Sequence, residues 1–204
     1  MFIQLLFSDP RLFAAMALVV VFSICAHEFM HAYVALKHGD PTAADAGHLT
    51  MSPFKQMGLW SLITLCLVGI AWGQVPVNRA NLPRKSSRIL VSLAGVAANL
   101  GLAIVFTLLA FAILMFDRSN NFAFGVLFFG ATINLVLLVI NLFPVPGFDG
   151  WNILMEYWHP KQSSEAVNGT FFIMIMLLFF GIGYVETAAA WLVKSAILIM
   201  AGAM

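Results

Sequence analysis

An all-α polytopic membrane fold is the class this sequence predicts, with about 5–6 membrane helices or segments and a small β-hairpin or strand after the first of them. Composition is the first reason: 62% of the 204 residues are hydrophobic and 9% are charged, against about half and about a quarter in soluble domains. Apolar runs are the second, because a helix needs about 20 such residues to cross a hydrocarbon core of about 30 Å. The third is what those runs contain. Ionisable groups lie inside them, where each costs about 2.5–3.5 kcal/mol on insertion scales and is rarely kept without a role. Lys+Arg 10 against Asp+Glu 9 leaves no basic field that would imply nucleic acid. The chain reads as one integral-membrane unit over 1–204, its core at about 12–155 and its C-terminal membrane segments at about 169–204.

The first helix begins at Ser8-Asp9-Pro10, with Asp9 as N-cap and Pro10 at the first helical position. It runs to about Lys37, inside an apolar stretch from about Leu12 to Leu36. Met1 to Phe7 lacks basic residues and a small-residue cleavage site, so this helix is expected to be retained as a membrane span. Within it lies HEFMH, His27 to His31. On a helix His27 and His31 are one turn apart, and both rings can reach one metal ion. Glu28 is displaced about 100° from His27 and about 60° from His31, so it shares their face. Two neutral nitrogen ligands beside an unligated carboxylate are what a hydrolytic zinc site requires. Random placement would give H-E-x-x-H in roughly a few of every thousand chains of this composition. Cys25 lies about 200° round the helix from His27, which excludes it as a ligand. Both Cys25 and Cys66 read as buried thiols.

Residues 38–56 are polar and punctuated by Gly, Pro and Asp, with a short alternating piece from Gly47 to Ser52 that predicts the hairpin or strand. His48, Asp45 and Asp40 are nearby alternatives for a third metal ligand, although loops ordinarily carry such residues as solvated side chains. Residues 57–73 form an uncharged run of marginal spanning length. Arg79, Arg84, Lys85 and Arg88 follow as the densest basic cluster, which the positive-inside rule places in the cytoplasm. The next helix is expected from Ile89 to Phe116, with small residues in LAGVAAN, Leu93 to Asn99, that permit close helix approach. After a turn at Asp117 to Asn121, another runs from about Phe122 to Leu142.

That helix ends in NLFPVPGFDG, Asn141 to Gly150, whose prolines and glycines break it. Freed backbone groups at membrane depth are tolerated only beside protein or a wet cavity. Asp149, presented from this break, supplies the missing third ligand in a two-His, one-carboxylate site that leaves a position for water. Trp151 to Asn168 reads as an amphipathic, interfacial connection. Phe171 to Tyr184 and Ala188 to Met204 are further apolar segments, fitting either two short helices or one long broken one.

HEFMH, LAGVAAN and NLFPVPGFDG, in that order, resemble the site-2 protease family of intramembrane zinc metalloproteases. The resemblance spans about residues 12–155, and the N-x-x-P-x-x-x-x-D-G pattern makes it specific. It implies His27, His31 and Asp149 as ligands of one Zn2+ per chain, Glu28 as catalytic acid/base and Asn141 as a polar group near the scissile peptide. The chain departs from the family's G-P-x-x-N at Val96, which stands where the proline would be. The implied function is hydrolysis of a peptide bond in or next to a transmembrane segment of a membrane-protein substrate. Its surroundings would be the lipid bilayer, here the plasma membrane, with the active site towards the cytoplasmic half; nothing fixes an oligomeric state. The alternative is a non-catalytic metal-binding sensor or transporter, although no second copy of either motif is found, as paired repeats would require.

Zinc binding also sets a parity rule. The first helix and the Asn141 helix must run the same way for their ends to meet, so the crossings between Leu36 and Ile89 must be even. Residues 57–73 are therefore predicted to be re-entrant or interfacial.

Overall fold

The computed structural model describes residues 2–158 and 165–202. Its elements in chain order are α1 (Phe2–Ser8), α2 (Pro10–Lys37), α3 (Thr42–Asp45), α4 (Pro53–Gln56), α5 (Gly58–Val68), a 3-10 turn at Arg79–Asn81, α6 (Lys85–Phe116), α7 (Asn121–Leu142), α8 (Asp149–Leu154) and α9 (Glu165–Gly202). Helices α2, α6, α7 and the Phe180–Gly202 part of α9 are long and apolar enough to cross a membrane. Leu18, Leu90, Leu108 and Trp191 stand exposed on them, an outer surface suited to hydrocarbon rather than water. The chain is an integral membrane protein.

Local chemistry sets the helix limits. The Asp9 carboxylate accepts from Leu12 N at 3.0 Å, and Pro10 occupies the first turn of α2. Asn120 caps α7 in the same way, accepting from Ala123 N at 3.0 Å. Helix α6 packs along both α2 and α7. Its approach to α7 needs Gly130, since a Cβ there would meet the Phe106 ring at under 3.0 Å. One apolar core joins Val20, Ile24 and Cys25 of α2 with Leu65 of α5 and flanking Phe129 and Ile133 of α7. A second joins Ala110, Ala131, Val193 and Ile197 across α6, α7 and α9.

The predicted hairpin is absent: no β-strand occurs among the described residues. A strand needs a neighbouring backbone, but here a side chain does that work. Gln56 Nε2 donates to His48 O at 2.8 Å and to Thr50 O at 2.6 Å, while Gly47 turns the chain at φ +76°. Gly47 to Ser52 is therefore an irregular loop folded around one amide. Cys66 also differs from expectation, for it is exposed on the outer face of α5, whereas Cys25 is buried.

Residues 57–73 double back. Helix α5 has 11 residues, about 16 Å at 1.5 Å each and too short for a span, and it ends at a left-handed Gly69 (φ +84°). The chain then returns alongside it. Trp72 N donates to Ser61 Oγ, Ser61 Oγ donates to Trp72 O, and Gln74 N reaches Gln56 O at 2.9 Å. Exit and entry thus lie side by side. The C-terminal apolar segments form one helix, Glu165–Gly202, rather than two; the expected connection at 151–168 runs partly through 159–164, outside the described residues.

Candidate metal centre

His27, Glu28 and His31 are buried on the inner face of α2. Asp149 opens α8, after the break at Phe143–Phe148 has turned the chain back under α7. That turn depends on Gly150, because a Cβ there would overlap the backbone carbonyls of Leu142 and Phe143. His27 Nε2 and His31 Nε2 are 2.9 Å apart, and each is 3.2 Å from Asp149 Oδ2. The three side chains form a metal-capable group whose donor atoms all lie within 4.8 Å of one another.

The donor chemistry fits a divalent cation. His31 Nδ1 lies 2.7 Å from the carbonyl of Val91, which can only accept, so that nitrogen carries the proton and, in the neutral ring a metal ligand requires, Nε2 has the lone pair. His27 Nδ1 faces Asn99 Oδ1 in the same sense. Asp149 Oδ2 is buried without a hydrogen-bond partner. With both rings neutral, these converging acceptors repel one another unless a cation sits between them. Their spacing is close to the edge of a tetrahedron with bonds of about 2.0–2.1 Å, about 3.3 Å. Gly95 of α6 makes room for this, since a Cβ there would overlap both imidazoles.

A cavity of about 920 Å³ opens on the group. Glu28 and Asn141 line it, together with residues of α6, α7 and α9. Asn141 Nδ2 donates to Leu137 O at 3.0 Å within its own helix, which leaves its second N–H. The alternative ligands stand apart. Asp40 is fully buried among donors, accepting from Thr42 N, Asn78 N and Asn81 Nδ2, and His48 faces Gln56. Asp45 closes the short α3.

Sequence reasoning overlooked three contributors. The stretch 70–77, which forms no regular secondary structure, lines the cavity, and Gly73 within it lies so close to Glu28 that a Cβ would overlap the carboxylate. Asn134 bonds Asn99; an isolated amide in an apolar helix was the available signal. Glu156, just after α8, is clamped by Arg79 and Arg88 of the basic cluster, Arg88 Nη2 at 2.7 Å. The hydrogen bond from Arg88, with Arg79 beside it, holds this carboxyl below the usual range even though burial opposes the shift.

Peptidase family M50 has a sequence profile that matches residues 15–125. YwhC of Bacillus subtilis (strain 168) is 32% identical over 185 residues, covering 86% of this chain and 84% of YwhC. The chain belongs to peptidase family M50. Rip2 of Mycobacterium tuberculosis (strain ATCC 25618 / H37Rv) is also 32% identical, over 180 residues that cover 83% of this chain and 69% of Rip2. MJ0611 of Methanocaldococcus jannaschii is 30% identical over 135 residues, 66% of this chain and 64% of MJ0611. All three relatives are named as candidate zinc metalloproteases. No solved structure matches the chain significantly. The M50 profile takes in HEFMH and ends at residue 125, before Asp149. The match to YwhC over 86% of the chain necessarily extends across 141–150.

Proposed function

We propose that this M50 chain is a zinc metalloendopeptidase that hydrolyses a peptide bond in or next to a transmembrane segment of a membrane-protein substrate. His27, His31 and Asp149 would hold one zinc ion, Glu28 would be the acid/base, and 1–204 would act as one peptidase unit with its core at 12–155. The observation that carries the reading is the buried Asp149 Oδ2, without a hydrogen-bond partner and 3.2 Å from both His27 Nε2 and His31 Nε2. When bound, zinc supplies Lewis acidity, polarising a substrate carbonyl and a water molecule. Glu28 takes one proton from that water as its oxygen bonds the carbonyl carbon. It returns the proton to the amine as the C–N bond breaks. Gly73 leaves Glu28 room for both acts, since a side chain there would occupy the carboxylate's position.

Asn141, through its second N–H, is a donor for the developing oxyanion, a role usually worth a few kcal/mol. A helical substrate must unwind first, because its carbonyls are already hydrogen-bonded. The stretch 70–77 is suited to hold it extended. Trp72 and Gln74 turn their N–H groups towards Ser61 and Gln56, so the intervening Gly73 is free to pair with a substrate backbone. The basic cluster at 79–88 supports an active site on the cytoplasmic side of the membrane.

Reconstituted vesicles test the reading. A chelator is expected to stop cleavage of a transmembrane reporter, and zinc to restore it; a soluble peptide cleaved equally well would place the activity at the membrane face instead. A sensor or transporter would bind zinc and cut neither.

A further inference from the structure

Three polar side chains with no exposed surface take no direct part in this chemistry: Ser23 on α2, Asn99 on α6 and Asn134 on α7. Hydrogen bonds join them into one line ending at His27. Asn134 Nδ2 donates to Gly130 O and to Ser23 Oγ, each at 2.8 Å. Asn99 Nδ2 donates to Asn134 Oδ1 at 2.9 Å, and Asn99 Oδ1 lies 2.5 Å from His27 Nδ1.

The direction of this line is fixed at its far end. Gly130 O is a backbone carbonyl and only accepts, so the Asn134 atom that meets it must be the amide nitrogen. Asn134 then shows its oxygen to Asn99. Asn99 must answer with N–H and turn its own oxygen to His27. His27 Nδ1 must therefore carry the proton, and in the neutral ring that ligates a metal Nε2 keeps the lone pair facing Asp149. His31 receives the same orientation from one carbonyl, Val91 O. For His27 the carbonyl acts through two amides. The absent side chain of Gly130 keeps the line short, because the Phe106 ring occupies the space a Cβ would need and α6 lies close to α7.

We infer that Asn99 and Asn134, steadied by Ser23, are positioning residues that hold His27 as its Nδ1–H tautomer and aim Nε2 at the metal; this rests on His27 being a zinc ligand. Ligating histidines are commonly oriented by such partners, whose loss costs about 10–100-fold in metal affinity. Asn134 has an effect on the metal although it touches neither metal nor substrate.

The test pairs chelator competition with ¹⁵N-histidine NMR of the zinc-loaded protein in detergent. Wild type is expected to show His27 as the Nδ1–H tautomer. Asn134→Leu and the smaller Asn134→Ala are expected to show mixed tautomers and to bind zinc about 10–100-fold more weakly. A folded variant, by either substitution, that keeps the wild-type tautomer and competition curve overturns the inference, even if its melting temperature drops. Should wild type take up no zinc, the metal reading fails and takes the inference with it; zinc uptake by wild type with unchanged variants fails the relay alone.

Discussion

Gly95 has no side chain, yet it sets the spacing of the metal group more directly than most residues that have one. Both imidazoles occupy the volume a Cβ would take, and neither can retreat, since each Nδ1 is already bonded. Gly95→Ala is expected to cost about 1–3 kcal/mol of overpacking, read as ~5- to 150-fold weaker zinc binding in a protein that still folds. Isothermal titration of the stripped protein measures it. At this scale the sequence was most legible where chemistry is local. His27, Glu28 and His31 follow from helical spacing, and Asp149 from a helix break next to an unmet ligand need. Gly73 was illegible because its partner Glu28 is remote in sequence, and Asn134 offered an isolated amide in an apolar helix but nothing that named Asn99 as its partner.

Among the elements, α5 and its return were foreseen by parity alone, since the metal group forces α2 and α7 to run the same way. A topology reporter fused at Gln74 is expected on the same side as one fused just after Lys37, because Gln74 N bonds Gln56 O. Opposite sides would break the argument. The loop at 47–52 was misread because alternation specifies a strand only if a backbone partner exists, and Gln56 takes its carbonyls first. Asp40 does comparable work between elements, tying Thr42, Asn78 and Asn81 to the end of α2. Burial would raise this carboxyl, but those hydrogen bonds outweigh it and hold it below the ordinary value. A depressed folded-state pKa stabilises the fold above the unfolded value, and that gain is lost as pH falls through the folded one. Asp40→Asn is therefore expected to melt lower than wild type at neutral pH, with the gap closing in acid. A gap independent of pH would assign the loss to packing.

For the whole molecule, composition and apolar runs were enough to read a helical membrane protein, because lipid leaves a chain of this kind few ways to satisfy its backbone. The continuity of α9 was not legible, since Glu186 interrupts the apolar pattern without interrupting the helix. The fold serves one end: α2 supplies the histidines and Glu28, α6 the glycine and amide that seat them, and α7 with α8 the carboxylate. The most direct test is Glu28→Gln assayed for both zinc content and cleavage of a transmembrane reporter in vesicles. One equivalent of zinc with cleavage reduced at least ~100-fold is expected, as for the loss of a general acid/base. Undiminished cleavage with zinc still bound would contradict the account.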